Sequence, residues 1–400
     1  MHFSIKTALL LAASTSAFPS HHADPKAVYV LTNTEDNAVI GLPVGHDGLL
    51  KPGHVTLTGG RGGTALTAPG TPSGPDALFS QAPLYVAGEY IFAVNPGSNT
   101  VSMLKVHPHH PALLTPIGEP AAIPGEFPIT VAASLKNSLV CVGTTGALAG
   151  ISCGPFNEHG IGALDALRPY ALNQTTPPIG PPNTVTHTFF SDDETHLLTT
   201  VKGVPMTDNI GFLSVFEVLR DDGACRPNGA SASLSRHDTR SALNGTNLLF
   251  GAALIPHSSR VFVTDPSFGV AVLDLNEHSD AATLETRMPI PGQMALCWAA
   301  YSAKRNSVFT SDGARNRIVE VDADDASIVS AVDLPNDDPS GLDLIAAGDL
   351  VYLLSPGNGT TDAAVTVWDA AKEKQVQRFS LKEYGGDRNA VGIGAFQGWW

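Results

Sequence analysis

One pattern recurs seven times along the 400 residues: an apolar strand, a turn that often carries Asn or Gly, and a second, alternating strand. The copies are AVYVLTNTEDNAVIGLPV from Ala27, YIFAVNPGSNTVSMLKV from Tyr90, SLVCVGTTGALAGISC from Ser138 and HLLTTVKGVPMTDNIGFLSVFEV from His196. SRVFVTDPSFGVAVLDL from Ser259, NSVFTSDGARNRIVEVD from Asn306 and DLVYLLSPGNGTTDAAVTVWD from Asp349 complete the series. Their starts lie 43 to 63 residues apart, longer than a solenoid repeat and close to one four-stranded propeller blade.

A shorter apolar run precedes six of these hairpins: QAPLYVAG from Gln81, FPITVAAS from Phe127, NTVTHTFFSDD from Asn183, NLLFGAALIPH from Asn247, ALCWAAYSA from Ala295 and PSGLDLIAAG from Pro339. The run missing before the first hairpin is supplied at the other end of the chain by AVGIGAFQG from Ala390. The count closes at seven if the C-terminal strand completes the blade begun by the N-terminal hairpin, which removes the open sheet edges. The fold expected is all-β, a single seven-bladed β-propeller over residues 18–400; a β-sandwich or two separate β domains is the alternative.

Composition agrees. With 43% hydrophobic and 15% charged residues the chain must fold, and Gly 39 plus Pro 30 supplies many turns. A net charge of −15 without a basic run repels phosphate backbones and anionic membrane surfaces, which excludes nucleic acid as a partner.

The first residues, MHFSIKTALLLAASTSAFPS, read as a secretory signal spanning residues 1–17, with Thr15 and Ala17 at the small-residue positions before cleavage. The apolar run is too short to span a bilayer, and no later one reaches 18 residues, so a secreted or lumenal chain without a membrane span is expected. Acceptor sequons at Asn173, Asn244 and Asn358 fit that route. Cys141 and Cys153 flank a hairpin turn and are the favoured disulfide pair; Cys225 and Cys297 either pair or leave Cys297 as a buried thiol.

The segments YVLTNTEDNAVIGLPVGHDGLL, FPITVAASLKNSLVCVGTTG and LNQTTPPIGPPNTV resemble the secreted fungal 3-carboxymuconate cyclase-like proteins, within the wider lactonase-type seven-bladed propellers. The likeness runs from about residue 27 to the C-terminus. Such a resemblance implies the fold more firmly than an activity, since members include extracellular antigens and adhesins, lactone-forming or lactone-opening enzymes, and hetero-Diels-Alderases of fungal tropolonic sesquiterpenoid pathways. Lactonase-type members place His and Arg on the innermost strands and a Glu one strand out. Phe127, Asn183 and Lys202 stand at the matching positions here, a departure that weighs against lactone hydrolysis and muconate cyclisation.

No nucleophile elbow, P-loop or zinc-protease motif is present, and GGRGGTALTAPG (59–70) lacks the strand and helix context of a dinucleotide loop. No cofactor or metal is therefore assigned. His107, His109 and His110 suit an irregular turn, as does the acidic run from Asp192. Candidates for chemistry are scattered along the chain, at innermost-strand entries and, for Lys202, one strand out: Asn183, His187, Lys202 and Arg388 as catalytic groups, with Phe127, Thr130, Gln293, Trp298 and Asn389 contacting substrate. His187 also reads as a hydrogen-bonded core histidine. The expected function is a cofactor-free cyclase, a pericyclase of the hetero-Diels-Alderase type, taking a small apolar substrate in the central channel of a monomer. The alternative is a non-catalytic secreted glycoprotein, an adhesin or antigen; a muconate-lactonising enzyme comes third. A deep apolar channel with a few inward donors favours the first, and a sealed channel the second.

Overall fold

The computed structural model describes residues 25–220, 232–276 and 279–398. Seven antiparallel sheets follow one another around a ring, a seven-bladed β-propeller. The seven apolar runs form the innermost strands: Val391–Phe396 in blade 1, Leu84–Ala87 in blade 2, Pro128–Ser134 in blade 3 and Val185–Phe190 in blade 4. Ala252–Leu254, Leu296–Ser302 and Leu344–Ala347 serve blades 5, 6 and 7. Each repeated hairpin supplies the second and third strands of its blade.

The second strands are covered on both faces by neighbouring blades. That is why Leu139–Thr144 and Ser307–Asp312 are buried at every position, and why they read as continuous apolar runs rather than alternating ones. The outermost strands lie against water. Ala282–Pro289 and Ile328–Asp333 are largely exposed or half-exposed, and carry too little apolar periodicity to stand out in the sequence.

The ring closes as the strand count predicts. Ala27–Leu31 pairs antiparallel with Val391–Phe396, placing Ala27 opposite Phe396 and Val30 opposite Ile393. The register shifts between Val30 and Leu31, and the residue left out of the pairing is Gly392 at φ 65°, where a Cβ would stand 2.7 Å from Pro83 Cγ. A glycine permits both the left-handed backbone and this close approach.

Cys141 and Cys153 face each other across the second and third strands of blade 3 and form the expected disulfide, Cα to Cα 4.1 Å. Cys297 is a free, buried thiol. The expected secretory signal at residues 1–17, Cys225, and Trp399 and Trp400 lie outside the described residues. Among the described residues no helix is long and apolar enough to cross a membrane.

Candidate functional site

The connection from blade 1 to blade 2, residues 58–83, turns into the channel and fills one end of it. Asp76 Oδ1 accepts the Phe79 N–H at 2.9 Å, and Phe79 and Ala82 adopt left-handed backbone, φ 54° and 58°. Such conformations persist in bulky residues only where surrounding contacts fix them. The contacts here come from five blades. Ser80 Oγ donates to the Ile129 carbonyl of blade 3 at 2.7 Å, and the Gln81 N–H to Thr186 O of blade 4 at 3.0 Å. Gln81 Nε2 donates to Ala252 O of blade 5 and Ala299 O of blade 6, at 3.2 and 3.0 Å. Trp298 Nε1 donates to Ser80 O at 2.9 Å, and the Ala82 N–H reaches Asp343 Oδ2, just before the innermost strand of blade 7, at 3.4 Å.

Beyond this floor the channel continues as a cup of about 340 Å³, running toward the end of the ring where the innermost strands finish. Its walls are Leu84, Val86, Phe189, Phe190, Leu254, Ile345 and Ile393; the polar groups are Gln81, Tyr85, His187 and Asp343, and among the described residues neither Lys nor Arg lines it. Gln81 spends its side chain on the backbone of Ala252 and Ala299, which leaves His187, Asp343 and Tyr85 to meet a ligand.

His187 is 6% exposed, and its Nδ1 accepts the Ala252 N–H at 3.3 Å. That bond assigns the ring proton to Nε2, which has no hydrogen-bond partner among the described residues. Burial pushes the imidazole down to about 3, so it is neutral across the physiological range and keeps its one ring proton on Nε2. The ring tilts against Phe189 with centroids 4.8 Å apart. Asp343 behaves oppositely: burial pushes its carboxyl up to about 7, against backbone hydrogen bonds that favour the anion.

Of the nine residues singled out from the sequence, His187 alone lines the cup. Lys202 lies behind the floor, 2% exposed, where Nζ donates to Phe79 O at 2.8 Å and stands 4.4 Å from the Phe250 ring centroid. Burial pulls its ammonium down and the nearby Asp76 carboxyl up, each partly offset by the other's charge. The remaining seven hold the filled end or join blades. Trp298 anchors Ser80, exposed Arg388 donates to Gly74 O at 2.7 Å, and Asn389 Oδ1 accepts from Thr64 at 3.3 Å. Asn183 Nδ2 donates to Leu172 O at 2.8 Å, and Gln293 bridges Pro266 O and the Leu296 N–H at 2.9 and 3.0 Å. Thr130 Oγ1 accepts the Thr188 N–H at 3.0 Å, and Phe127, buried at φ 56°, donates its own N–H to Asn99 at 2.8 Å.

Asp343, Tyr85, Phe189 and Phe190 were not singled out. Asp343 could have been: GLDLIAAG sets one carboxylate in a run that aligns with six other innermost strands. The histidine turn is as expected, with His107 Nδ1 accepting the N–H groups of His109 and His110 at 3.2 Å. Among the described residues no group of three or more His, Cys, Asp or Glu is placed to hold a metal ion.

No family model matches the sequence, and no curated protein matches it either. Solved structures do. The periplasmic gluconolactonase of Pseudomonas aeruginosa is similar with a TM-score of 0.62 at 12% identity, over 92% of this chain and 98% of that one. A candidate 6-phosphogluconolactonase of Bacteroides fragilis is similar at 0.57 and 11% identity, over 96% and 99%. A dihydro-heme d1 dehydrogenase reaches 0.51 at 13% identity, over 96% of this chain and 78% of that one. At such identities the likeness is one of fold alone, a seven-bladed β-propeller.

Proposed function

We propose that this chain is a cofactor-independent cyclase acting on a small, mainly apolar substrate in the cup, of the pericyclase type that its sequence resembles. The observation that carries this reading is an apolar cup whose wall offers a neutral imidazole N–H and which, among the described residues, is lined by no cation. A pericyclic ring closure needs no nucleophile. It needs the two reacting π-systems held in register, which apolar walls supply through effective molarity, and a donor that polarises the heterodiene oxygen. Phe189, Phe190, Leu254 and Ile393 would hold the hydrocarbon, and His187 Nε2–H would meet the oxygen. Hydrolysis of a phosphorylated lactone and cyclisation of a muconate fit less well, because a phosphate or tricarboxylate calls for Arg or Lys.

Secretion is part of the same proposal. Asn173, Asn244 and Asn358 are exposed, and the Cys141–Cys153 bridge suits an oxidising compartment. A second reading, a non-catalytic secreted glycoprotein, draws support from the filling of one channel end by residues 76–82, which leaves a rigid ring with a shallow opening.

Co-expression in a fungal host with a candidate terpenoid pathway tests both. The expected result is faster and stereochemically purer cyclised product when the protein is present, with His187→Phe losing about tenfold or more of the gain. Identical product rate and stereochemistry with and without the protein would leave the glycoprotein reading.

A further inference from the structure

The charge inside the cup is unbalanced. Asp343 is 3% exposed; Oδ1 accepts the Leu344 N–H at 3.0 Å and Oδ2 the Ala82 N–H at 3.4 Å, yet among the described residues no cation lines the cup beside it. The charged group acting on it is Asp76, a second carboxylate of the same sign, and Ile393 of the closing strand adds only a backbone N–H. Lys202, the buried ammonium of this end, is engaged by Asp76 and the Phe79 carbonyl behind the floor. His187, on the wall three blades away, is held neutral. Along the wall, Glu194 acts on Tyr85 with the same negative sign. A buried carboxylate without a counter-charge is unfavourable, and a ligand cation is the group that would offset it.

We propose that the ligand of this cup carries a protonated amine, seated against Asp343, on an otherwise apolar body. The inference rests on the cup being the ligand site, as read above. An ammonium offers three donors to a carboxylate whose partners are backbone N–H groups of Ala82, Leu344 and Ile393, and the rings of Tyr85, Phe189 and Phe190 are suited to the alkyl groups beside a cation. The net charge of −15 would also draw such a ligand in and hold anions away. Amine binding selects the ionised carboxyl, so affinity is full above the titration of Asp343 near 7 and falls about tenfold per pH unit below it.

Three probes of one shape separate the outcomes: 4-phenylbutylamine, 4-phenylbutanol and 4-phenylbutyrate, measured by calorimetry on the full chain at pH 8 and at pH 5. The amine is expected to bind about tenfold or more tighter than the alcohol at pH 8, with the butyrate weakest, and to lose that preference at pH 5. Asp343→Asn is expected to cost the amine at least about tenfold more than it costs the alcohol. Should that variant not fold, the pH titration of the unmodified protein carries the same test. An alcohol that binds as tightly as the amine at pH 8, or a butyrate that binds more tightly, overturns the amine and leaves the cup as the site. No binding by any of the three overturns the cup itself.

Discussion

Gln81 and Ala299, 218 residues apart in sequence, exchange two hydrogen bonds: the Ala299 N–H donates to Gln81 Oε1 at 3.0 Å, and Gln81 Nε2 donates to Ala299 O at 3.0 Å. A side-chain amide here does what a neighbouring strand would do, satisfying the inner edge of blade 6, and a third bond to Ala252 O does the same for blade 5. Gln81→Ala leaves three buried backbone groups without partners. It is expected to cost about 2–4 kcal/mol in urea denaturation, well above a surface substitution. A loss under about 0.5 kcal/mol would mean that the connection is not held by this amide.

Gly251 is what lets Gln81 in. A Cβ at that position would stand 2.2 Å from Gln81 Oε1 and 2.5 Å from Cys297 O. Gly251→Ala is therefore expected to destabilise by about 1–3 kcal/mol. Because one of the two close contacts is Gln81 itself, the same substitution should cost less in a Gln81→Ala background. A double-mutant cycle reads that coupling directly, and strict additivity would contradict the packing described.

The ring was legible in the sequence because its information is local and repeated. Each blade needs one doubly covered strand, and a run such as SLVCVG or DLVYLLS shows it without reference to any other blade. Closure was legible because one innermost run was missing at one end and present at the other. The interior was not. In six of the seven blades the second strand ends on a polar residue, Leu31 of blade 1 being the exception; Asp265 and Asp312 there accept backbone N–H groups of the loops entering their own blades, from Asn247 at 2.7 Å and Met294 at 2.7 Å. Lys202 occupies the same position in blade 4 and reaches inward to Phe79 instead. Its odd charge was visible in sequence; its partner was not, because residues 76–82 bond to five other blades and long-range bonds leave no periodicity. His187 could be placed on an innermost strand by alternation, whereas the cup around it depends on where the connection stops.

The disulfide links strands already paired in register, so its contribution acts mainly on the unfolded chain. Cys141 and Cys153 are 12 residues apart, and closing a loop of that size is worth about 3 kcal/mol by chain entropy. Reduction, or Cys141→Ala with Cys153→Ala, is expected to lower stability by about 2–3 kcal/mol while leaving the circular dichroism of the folded ring unchanged. A change in that spectrum would show that the bridge shapes blade 3 rather than restricting its unfolded state.

Stability should also depend on pH through the floor of the cup. The Asp343 carboxyl is raised to about 7 in the folded ring, above the value of about 4 that it has in an unfolded chain. The folded state thus holds this proton more tightly, and the stability so gained is complete below about pH 4 and is lost as pH rises to about 7. Lys202 works in the opposite sense: its ammonium is lowered by burial, so its unfavourable contribution is full at low pH and is relieved as pH rises through its folded titration. Asp343→Asn removes the first effect and keeps the second. Relative to the unmodified protein, the variant is expected to lose about 1 kcal/mol at pH 4, where an amide replaces a neutral carboxyl, and to gain up to a few kcal/mol between pH 4 and 7. Above pH 7 the difference should be flat. Denaturation midpoints in a buffer series check the sign, and a difference constant from pH 4 to 8 would mean that the buried carboxyl does not titrate between its folded and unfolded values.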